Sequence, residues 1–349
     1  MLPEKIGRYD ILAELGRGAM GVVYKAYDAL LDRTVAIKTL NLSLTGEELK
    51  EYEARFYQEA KAMGKITHPN IISLYDVGRS GDHAYITMEY LEGQELRRIL
   101  DSGSRPGIER IIDVIRQVAE GLSFAHQHQI VHRDIKPSNI MILKSGLVKI
   151  TDFGIARIPT SAIKTLTGMV MGSPQYMSPE QVTGKATDHR TDIFSLGTVL
   201  YETLAGSPPF VGENVHAIMF QIVNLNPPPP STLNPASPKM LDYIVAKMLA
   251  KRAESRYQDA AEIAKDLKAC ADGLDKTEMP PVQTHFAQEE DSAPAYSVSA
   301  DFDSFEATRQ LAILTGLEGV SENSESSAFM LWAGFFLVIF LAMLAIFML

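Results

Sequence analysis

His132-Arg133-Asp134-Ile135-Lys136-Pro137-Ser138-Asn139 is followed thirteen residues later by Asp152-Phe153-Gly154. Asp134 is a carboxylate able to accept a proton, and Lys136 is a cation two residues away that can neutralise a phosphate. Asn139 and Asp152 offer oxygen ligands to a hard divalent cation such as Mg²⁺, which keeps waters and phosphate oxygens as its remaining ligands. Transfer of a phosphoryl group asks for that set, because its transition state is met mainly by positioning and charge neutralisation. Upstream, Lys38 ends the apolar run Val35-Ala36-Ile37 and is suited to contact phosphate oxygens. Glu59 falls on the same helical stripe as Phe56, Ala60 and Met63, and a carboxylate on a buried stripe wants a cation. Lys38 is the expected partner.

Gly16-x-Gly18-x-x-Gly21-x-Val23 is a weak signal when taken alone. A dinucleotide-binding turn would open a helix at this point. Here Val22-Val23-Tyr24 follows, a strand pattern, so the glycines predict a hairpin that folds over phosphates. Met88 precedes Glu89-Tyr90-Leu91, a short connector whose backbone could meet an adenine ring. Met88 then lines the base pocket or is a plain core methionine. Glu95 either reaches ribose hydroxyls or is a solvated glutamate at a helix start.

The elements that must hold these groups fall into two runs. Residues 9–40 read as strands around the glycine turn, and Ile71 to Tyr90 as two more around Ser80-Gly81-Asp82. Thr45 to Lys65 reads as a helix, with Thr45 and Glu48 as a capping box. From Leu96 onward helical patterns dominate, at 108–128, 192–206, 213–224, 239–249 and 258–271. Sheet first and helices afterwards predict an α+β protein of two lobes, 9–88 and 92–267, with a cleft between them. Pro227 to Pro230 reads as a stiff connector rather than a docking site.

The net charge of −10 is unevenly placed. Residues 270–328 hold 12 acidic residues against Lys276 and Arg309, which accounts for all of it. The rest is balanced, so no basic surface for nucleic acid is expected. The acidic segment, rich in Ser, Glu, Asp, Pro and Ala, is expected to be largely disordered, with a short amphipathic helix at Asp303 to Leu314. Phe329 to Leu349 is 21 residues without a charge, enough for a helix of roughly 31 Å, and predicts a transmembrane helix. No cleavable signal peptide and no sensor domain beyond the span are expected. The lone Cys270 excludes an intrachain disulfide and fits a reducing compartment.

Taken together, these motifs resemble the protein kinase superfamily over residues 9–267. Lys136 after Asp134 is similar to the serine/threonine branch. Ser178-Pro179-Glu180-Gln181, with serine where alanine is usual, resembles bacterial eukaryotic-like (Hanks-type) kinases, many of them anchored by one transmembrane helix. The resemblance implies the two-lobed kinase fold, ATP and Mg²⁺ as cofactors, and protein substrates with Ser/Thr acceptors. It implies a nucleotide site formed by Leu15, Gly16, Arg17, Gly18, Ala19, Met20, Gly21, Val22, Val23, Ala36, Lys38, Met88, Glu89, Leu91, Glu95 and Met141. Asp134, Lys136, Lys38 and Glu59 are the implied catalytic set, and Asn139 and Asp152 the metal ligands.

Further implications follow from the same resemblance. Glu180 pairs with Arg256, and Asp192 ties a central helix to the catalytic loop. Met63, Leu74, His132 and Phe153 stack as a regulatory spine. Arg133 beside Asp134 implies control by a phosphorylated activation segment, with Thr165 and Thr167 at the matching positions. A second copy of the chain is then a partner for phosphorylation in trans. Thr277, Thr284 and Thr308 are either docking sites for forkhead-associated-type domains or inert spacer hydroxyls. The expected location is the inner membrane, with the kinase domain cytoplasmic. A membrane-tethered nucleotide-binding scaffold without turnover is the competing class, and a small-molecule kinase a third.

Overall fold

Alternation of residues along the first ninety positions builds one antiparallel sheet. The computed structural model describes residues 2–18, 21–40, 46–81, 83–103, 106–153 and 174–274, all within the unit Met1–Phe286. Strands β1 (Lys5–Ile6), β2 (Tyr9–Gly18), β3 (Gly21–Asp28), β4 (Arg33–Leu40), β5 (Leu74–Ser80) and β6 (His83–Glu89) are ordered β1-β2-β3-β4-β6-β5. Ile6, Tyr9, Val22, Tyr24, Ala26, Val35, Ile37 and Tyr85 cluster on one face. The period of two sends Ala36, Lys38 and Leu40 to the other. There Leu40, Ala84 and Ile86 pack on Phe56 and Ala60 of helix α1 (Gly46–Met63), while Ala36 and Met88 pack with Ile72. Lys38 therefore lies on β4 between a residue of a small apolar pocket and one that touches α1.

The second lobe is built around a helix with no exposed face. Its helices are α2 (Leu96–Asp101), α3 (Ile108–Gln127), α4 (Pro179–Val182), α5 (Arg190–Ala205), α6 (Val215–Asn224), α7 (Pro230–Leu233), α8 (Lys239–Met248) and α9 (Ala260–Leu274). Every residue of α5 from Thr191 to Ala205 is buried, polar Asp192, Ser195, Thr198 and Glu202 included. It ends at Gly206, whose φ of 82° is the left-handed cap that glycine adopts without strain. The α3 core face follows the helical period through Ile111, Ile115, Val118, Leu122 and Ala125. Pro230 stands at the first position of α7, where its missing N–H costs nothing.

Helices dominate from Leu96 onward, as expected, with short strands among them that were not read from the sequence. Strands β7 (Gly93–Glu95), β8 (Ile140–Leu143) and β9 (Val148–Ile150) form a three-stranded sheet in the second lobe. It joins the lobes at the back of the cleft. Ile72 N–H donates to Ile150 O at 3.0 Å, and Ile150 N–H to Asn70 O at 2.9 Å. The Asn70 amide donates to Val148 O at 2.8 Å and to Gln117 Oε1 at 3.0 Å.

Several expectations fall outside the described residues: Thr45 of the capping box, Ala19, Met20, Thr165, Thr167, the segment from 275 to 328 and the apolar run 329–349. Among the described residues no helix is long and apolar enough to cross a membrane.

Candidate active site

The loop 132–139 is held from below by one carboxylate. Asp192, fully buried at the start of α5, accepts from His132 N–H at 2.8 Å and from Arg133 N–H at 2.6 Å. His126, at the end of α3, places Nε2 2.8 Å from the same carboxylate. Burial alone would raise the Asp192 pKa; the His126 bond and the other donors hold it below the usual carboxylate range. Arg133 needs that hold, because its φ of 64° is unfavourable for a side-chain-bearing residue. Gln181 secures the far side, donating from Nε2 to Arg133 O at 2.9 Å.

His132 is neutral by the same logic. It is wholly buried, and burial lowers its pKa. Nε2 lies 2.9 Å from Thr151 O, and Nδ1 accepts from Asp134 N–H at 3.2 Å. The two partners fix the tautomer with hydrogen on Nε2. The ring packs against Phe153 with centroids 4.5 Å apart. Met63 and Phe153 are buried in one cluster, with Leu74 packed against it.

Asp134 is oriented by two donors on one oxygen. Lys136 Nζ reaches Oδ2 at 2.8 Å and Asn139 Nδ2 reaches it at 3.1 Å. Asn139 Nδ2 also donates to Asp134 O at 2.8 Å. The amide nitrogen of Asn139 is thereby committed, and Oδ1 is the atom left for a cation. Asp152, with φ 55°, accepts from Lys38 Nζ of the first lobe at 2.7 Å. Two hard oxygens, Asn139 Oδ1 and the Asp152 carboxylate, suit Mg²⁺. Among the described residues no three His, Cys, Asp or Glu side chains converge on one point.

The expected Lys38 to Glu59 pair is not among the ion pairs of the described residues; Lys38 is joined to Asp152 instead. Glu59 is half-buried on α1 beside buried Phe56 and Ala60, which matches its expected stripe. The physical reason is proximity within the cleft: Asp152 is the carboxylate that reaches Lys38 here.

The nucleotide-side residues separate by sheet face. Ala36 pairs with Met88 across β4 and β6, and both join Ile72, with Leu74, Tyr90 and Leu91 packed alongside. Gly16 pairs with Val23 and Gly18 with Gly21. A Cβ at Gly16 or Gly18 would meet nothing within 4 Å, so both flank open space. Gly21 differs: its φ is 152°, and a Cβ there would stand 1.7 Å from Thr39 O. Arg17 is bound to Glu14 by two bonds of 2.8 and 3.1 Å, and Leu15 is exposed on β2.

Val22 requires a correction, since its side chain belongs to the cluster on the opposite face. Glu89 spends its N–H on Ser73 O at 2.9 Å and its carboxylate on Lys149 Nζ at 2.9 Å. Glu95 stands just before α2, half-buried, opposite Met141 of β8.

The peptide segment after residue 173 is fastened to the same helix as the catalytic loop. Ser195, three residues after Asp192 on α5, donates to Tyr176 O at 2.7 Å. Glu180 and Arg256 form a bidentate pair at 2.7 and 2.8 Å, as the resemblance implies. Arg133, in contrast, has an exposed side chain, so water removes the cost that a buried unpaired arginine would carry. His126, Lys149, Arg97 and Glu202 carry no motif. The one signal for the last is a carboxylate inside a largely apolar helical run.

Asp134 with Lys136 and Asn139, the Lys38–Asp152 pair and the glycine hairpin thus belong to one two-lobed body. Residues 9–267 match the family model for the protein kinase domain, and the chain belongs to that family. It is 42% identical over 266 residues to the serine/threonine-protein kinase PknB of Mycolicibacterium smegmatis, covering 74% of this chain and 42% of that protein. It is 40% identical over 266 residues to PrkC of Bacillus subtilis, covering 76% and 41%. The probable serine/threonine-protein kinase SCO3848 of Streptomyces coelicolor is 41% identical over 273 residues, covering 76% and 40%. The chain thus spans about two fifths of the length of these curated relatives. The crystal structure of the Mycobacterium tuberculosis PknI kinase domain superposes with a TM-score of 0.63 at 24% identity, over 78% of this chain and 100% of that one, and shows the fold.

Proposed function

We propose that the chain transfers the terminal phosphoryl group of ATP to serine and threonine hydroxyls of proteins. The observation that carries the reading is the clamp on Asp134 by Lys136 and Asn139, together with Asp152 of the same lobe held by Lys38 of the other. Asp134 orients the acceptor hydroxyl and takes its proton. Lys136 neutralises charge on the phosphoryl group in transit. Lys38 leaves Asp152 for the phosphates of the nucleotide. Asn139 Oδ1 and Asp152 would hold Mg²⁺, whose charge, when bound, draws in the phosphate oxygens. The pocket of Ala36, Ile72 and Met88 receives the adenine. Kinases named as acting on serine and threonine at about 41% identity support the acceptor class.

The remaining expectations form part of the same reading. The body is cytoplasmic, tethered through the acidic segment to a single span at 329–349 in the inner membrane. Confinement favours phosphorylation between copies, at Thr165 or Thr167. Phosphorylated Thr277, Thr284 or Thr308 would recruit forkhead-associated-type domains. Full-length protein incubated with labelled ATP should label a protein acceptor on Ser or Thr only when Mg²⁺ is supplied. Labelling that persists in excess chelator, or falls on tyrosine alone, overturns the reading. Deletion of 329–349 should release the chain from membranes with peptide phosphorylation intact; a deleted chain that still sediments with membranes refutes the anchor.

A further inference from the structure

A cavity of about 230 Å³ lies within the second lobe. Leu96 and Ile99 of α2, Ile111, Val114 and Ile115 of α3 and Ile142 of β8 form its apolar wall. Leu96, Ile111, Val114 and Ile115 are buried and belong to the main core. Walls held by core packing relax only partially around a void, so the space stays open. Two polar side chains among the described residues also border it, and both are engaged. Arg110 Nη1 donates to Asp113 Oδ2 at 2.8 Å and Nη2 to Gly146 O at 3.2 Å. Thr203 Oγ1 donates to Val199 O one turn back in α5.

Such a wall selects its occupant. Water stays in a cavity only where several polar groups receive it, and an apolar cavity stays dry and takes up apolar molecules instead. A space of about 150 Å³ lined by aliphatic and aromatic side chains accommodates benzene. The larger volume here leaves room for alkyl groups on such a ring. The cavity backs onto the nucleotide side without opening into its base pocket. Ile142 follows Met141 on β8, and the alternation of a strand puts the two on opposite faces of the small sheet. Leu96 follows Glu95 at the start of α2. The described residues of the wall are distinct from Ala36, Ile72 and Met88.

We propose that this cavity is a second ligand site of the chain, for a compact, uncharged, apolar molecule the size of an alkyl-substituted aromatic ring. The site stands on the packing of the second lobe and does not depend on the chemistry assigned to the cleft. A guest held there touches β8 and α2 on the side away from the nucleotide, so it does not compete with ATP. It binds the folded chain alone and therefore stabilises it.

The test is binding of p-xylene to the full-length chain in detergent micelles, read by NMR of labelled isoleucine δ1 methyls. Ring currents of a bound guest should displace the signals of Ile99, Ile111, Ile115 and Ile142 and leave that of Ile72 in place. In p-cresol a hydroxyl replaces one methyl at the same shape; it should bind at least ~5-fold more weakly at equal free concentration, because the hydroxyl gives up water without a free partner in the wall. Val114→Phe fills the space and should weaken p-xylene binding at least ~10-fold. Ile99→Phe, at the half-buried edge of the wall, serves should Val114→Phe not fold. Saturating Mg-ATP should leave the wild-type affinity for p-xylene within about twofold. Unmoved signals of the four isoleucines up to the solubility limit of p-xylene overturn the proposal, as does undiminished binding in the folded filled variants. Binding of p-cresol as tight as that of p-xylene overturns the ligand class, and loss of p-xylene on adding Mg-ATP overturns the separation from the nucleotide site.

Discussion

Replacing Arg256 by methionine should remove a large share of the protein's stability. The guanidinium is fully buried and every one of its N–H groups is used. Nε donates to Ala250 O at 2.8 Å. Nη1 donates to Glu180 Oε1 at 2.7 Å and to Arg190 O at 3.1 Å. Nη2 donates to Glu180 Oε2 at 2.8 Å and to Lys251 O at 3.0 Å. Arg256→Met therefore strands a half-buried carboxylate and three carbonyls. Breaking such a pair from one side costs about 3–5 kcal/mol, against a total stability of roughly 5–15 kcal/mol.

Removing both charges should cost less. In Glu180→Met/Arg256→Met the stranded carboxylate is gone, and at least ~2 kcal/mol should return relative to Arg256→Met. Urea unfolding of the full chain, followed by far-UV circular dichroism, gives the differences from the midpoints. A loss under ~1 kcal/mol in the single variant, or strict additivity in the pair, refutes the reasoning.

Acidity should act on the same pair. Burial opposes ionisation of Glu180, but Arg256 and Thr191 outweigh it, and its pKa lies below the ordinary 4.5. Its folded value is the depressed one, so its contribution is complete above pH 4.5 and disappears as pH falls through the folded value. Wild type should thus lose urea resistance on that descent by more than Glu180→Gln does.

Two further perturbations address the cleft. Gly21→Ala forces a Cβ to within 1.7 Å of Thr39 O at a φ of 152°; the hairpin must shift, at a cost of roughly 1–3 kcal/mol, and ATP affinity measured by calorimetry should fall, whereas unchanged affinity contradicts the assigned role of the hairpin. Asp192→Asn removes the charge that secures His132 and Arg133; kcat should drop about a hundredfold, the usual penalty for misplacing a reacting group by about 1 Å, and a drop under ~3-fold in quenched-flow assays argues against the loop needing that anchor.

What could be seen in the sequence was what is local. The period of two in Val22 to Ala26 and Val35 to Lys38 marks the sheet, and the period near four in Ile111 to Ala125 marks α3. The catalytic loop compresses Asp134, Lys136 and Asn139 into six residues, so its chemistry is visible before its geometry. The small sheet escaped because Val148–Ile150 is three residues long and Ile140–Leu143 is apolar throughout, giving no alternation to detect. Lys38 was expected to pair with Glu59 of its own lobe, and its meeting with Asp152 depends on how the lobes come together, which no local pattern shows. The hydrogen-bonded ring of Arg97, Tyr176 and Glu202 spans 105 residues and has no spacing rule at all. Buried polar residues within α5 were the available clue: Asp192 fastens the catalytic loop, and Ser195 and Glu202 both fasten the segment at Tyr176.

The central claim is that Asp134, clamped by Lys136 and Asn139, is the group that prepares a hydroxyl for phosphoryl transfer. Mass-spectrometric mapping of phosphosites on the full-length chain after incubation with Mg-ATP, beside Asp134→Asn, tests it most directly. New phosphate on Ser or Thr in the wild type, with none above background in the variant, is the expected result. Equal phosphate in both would contradict it.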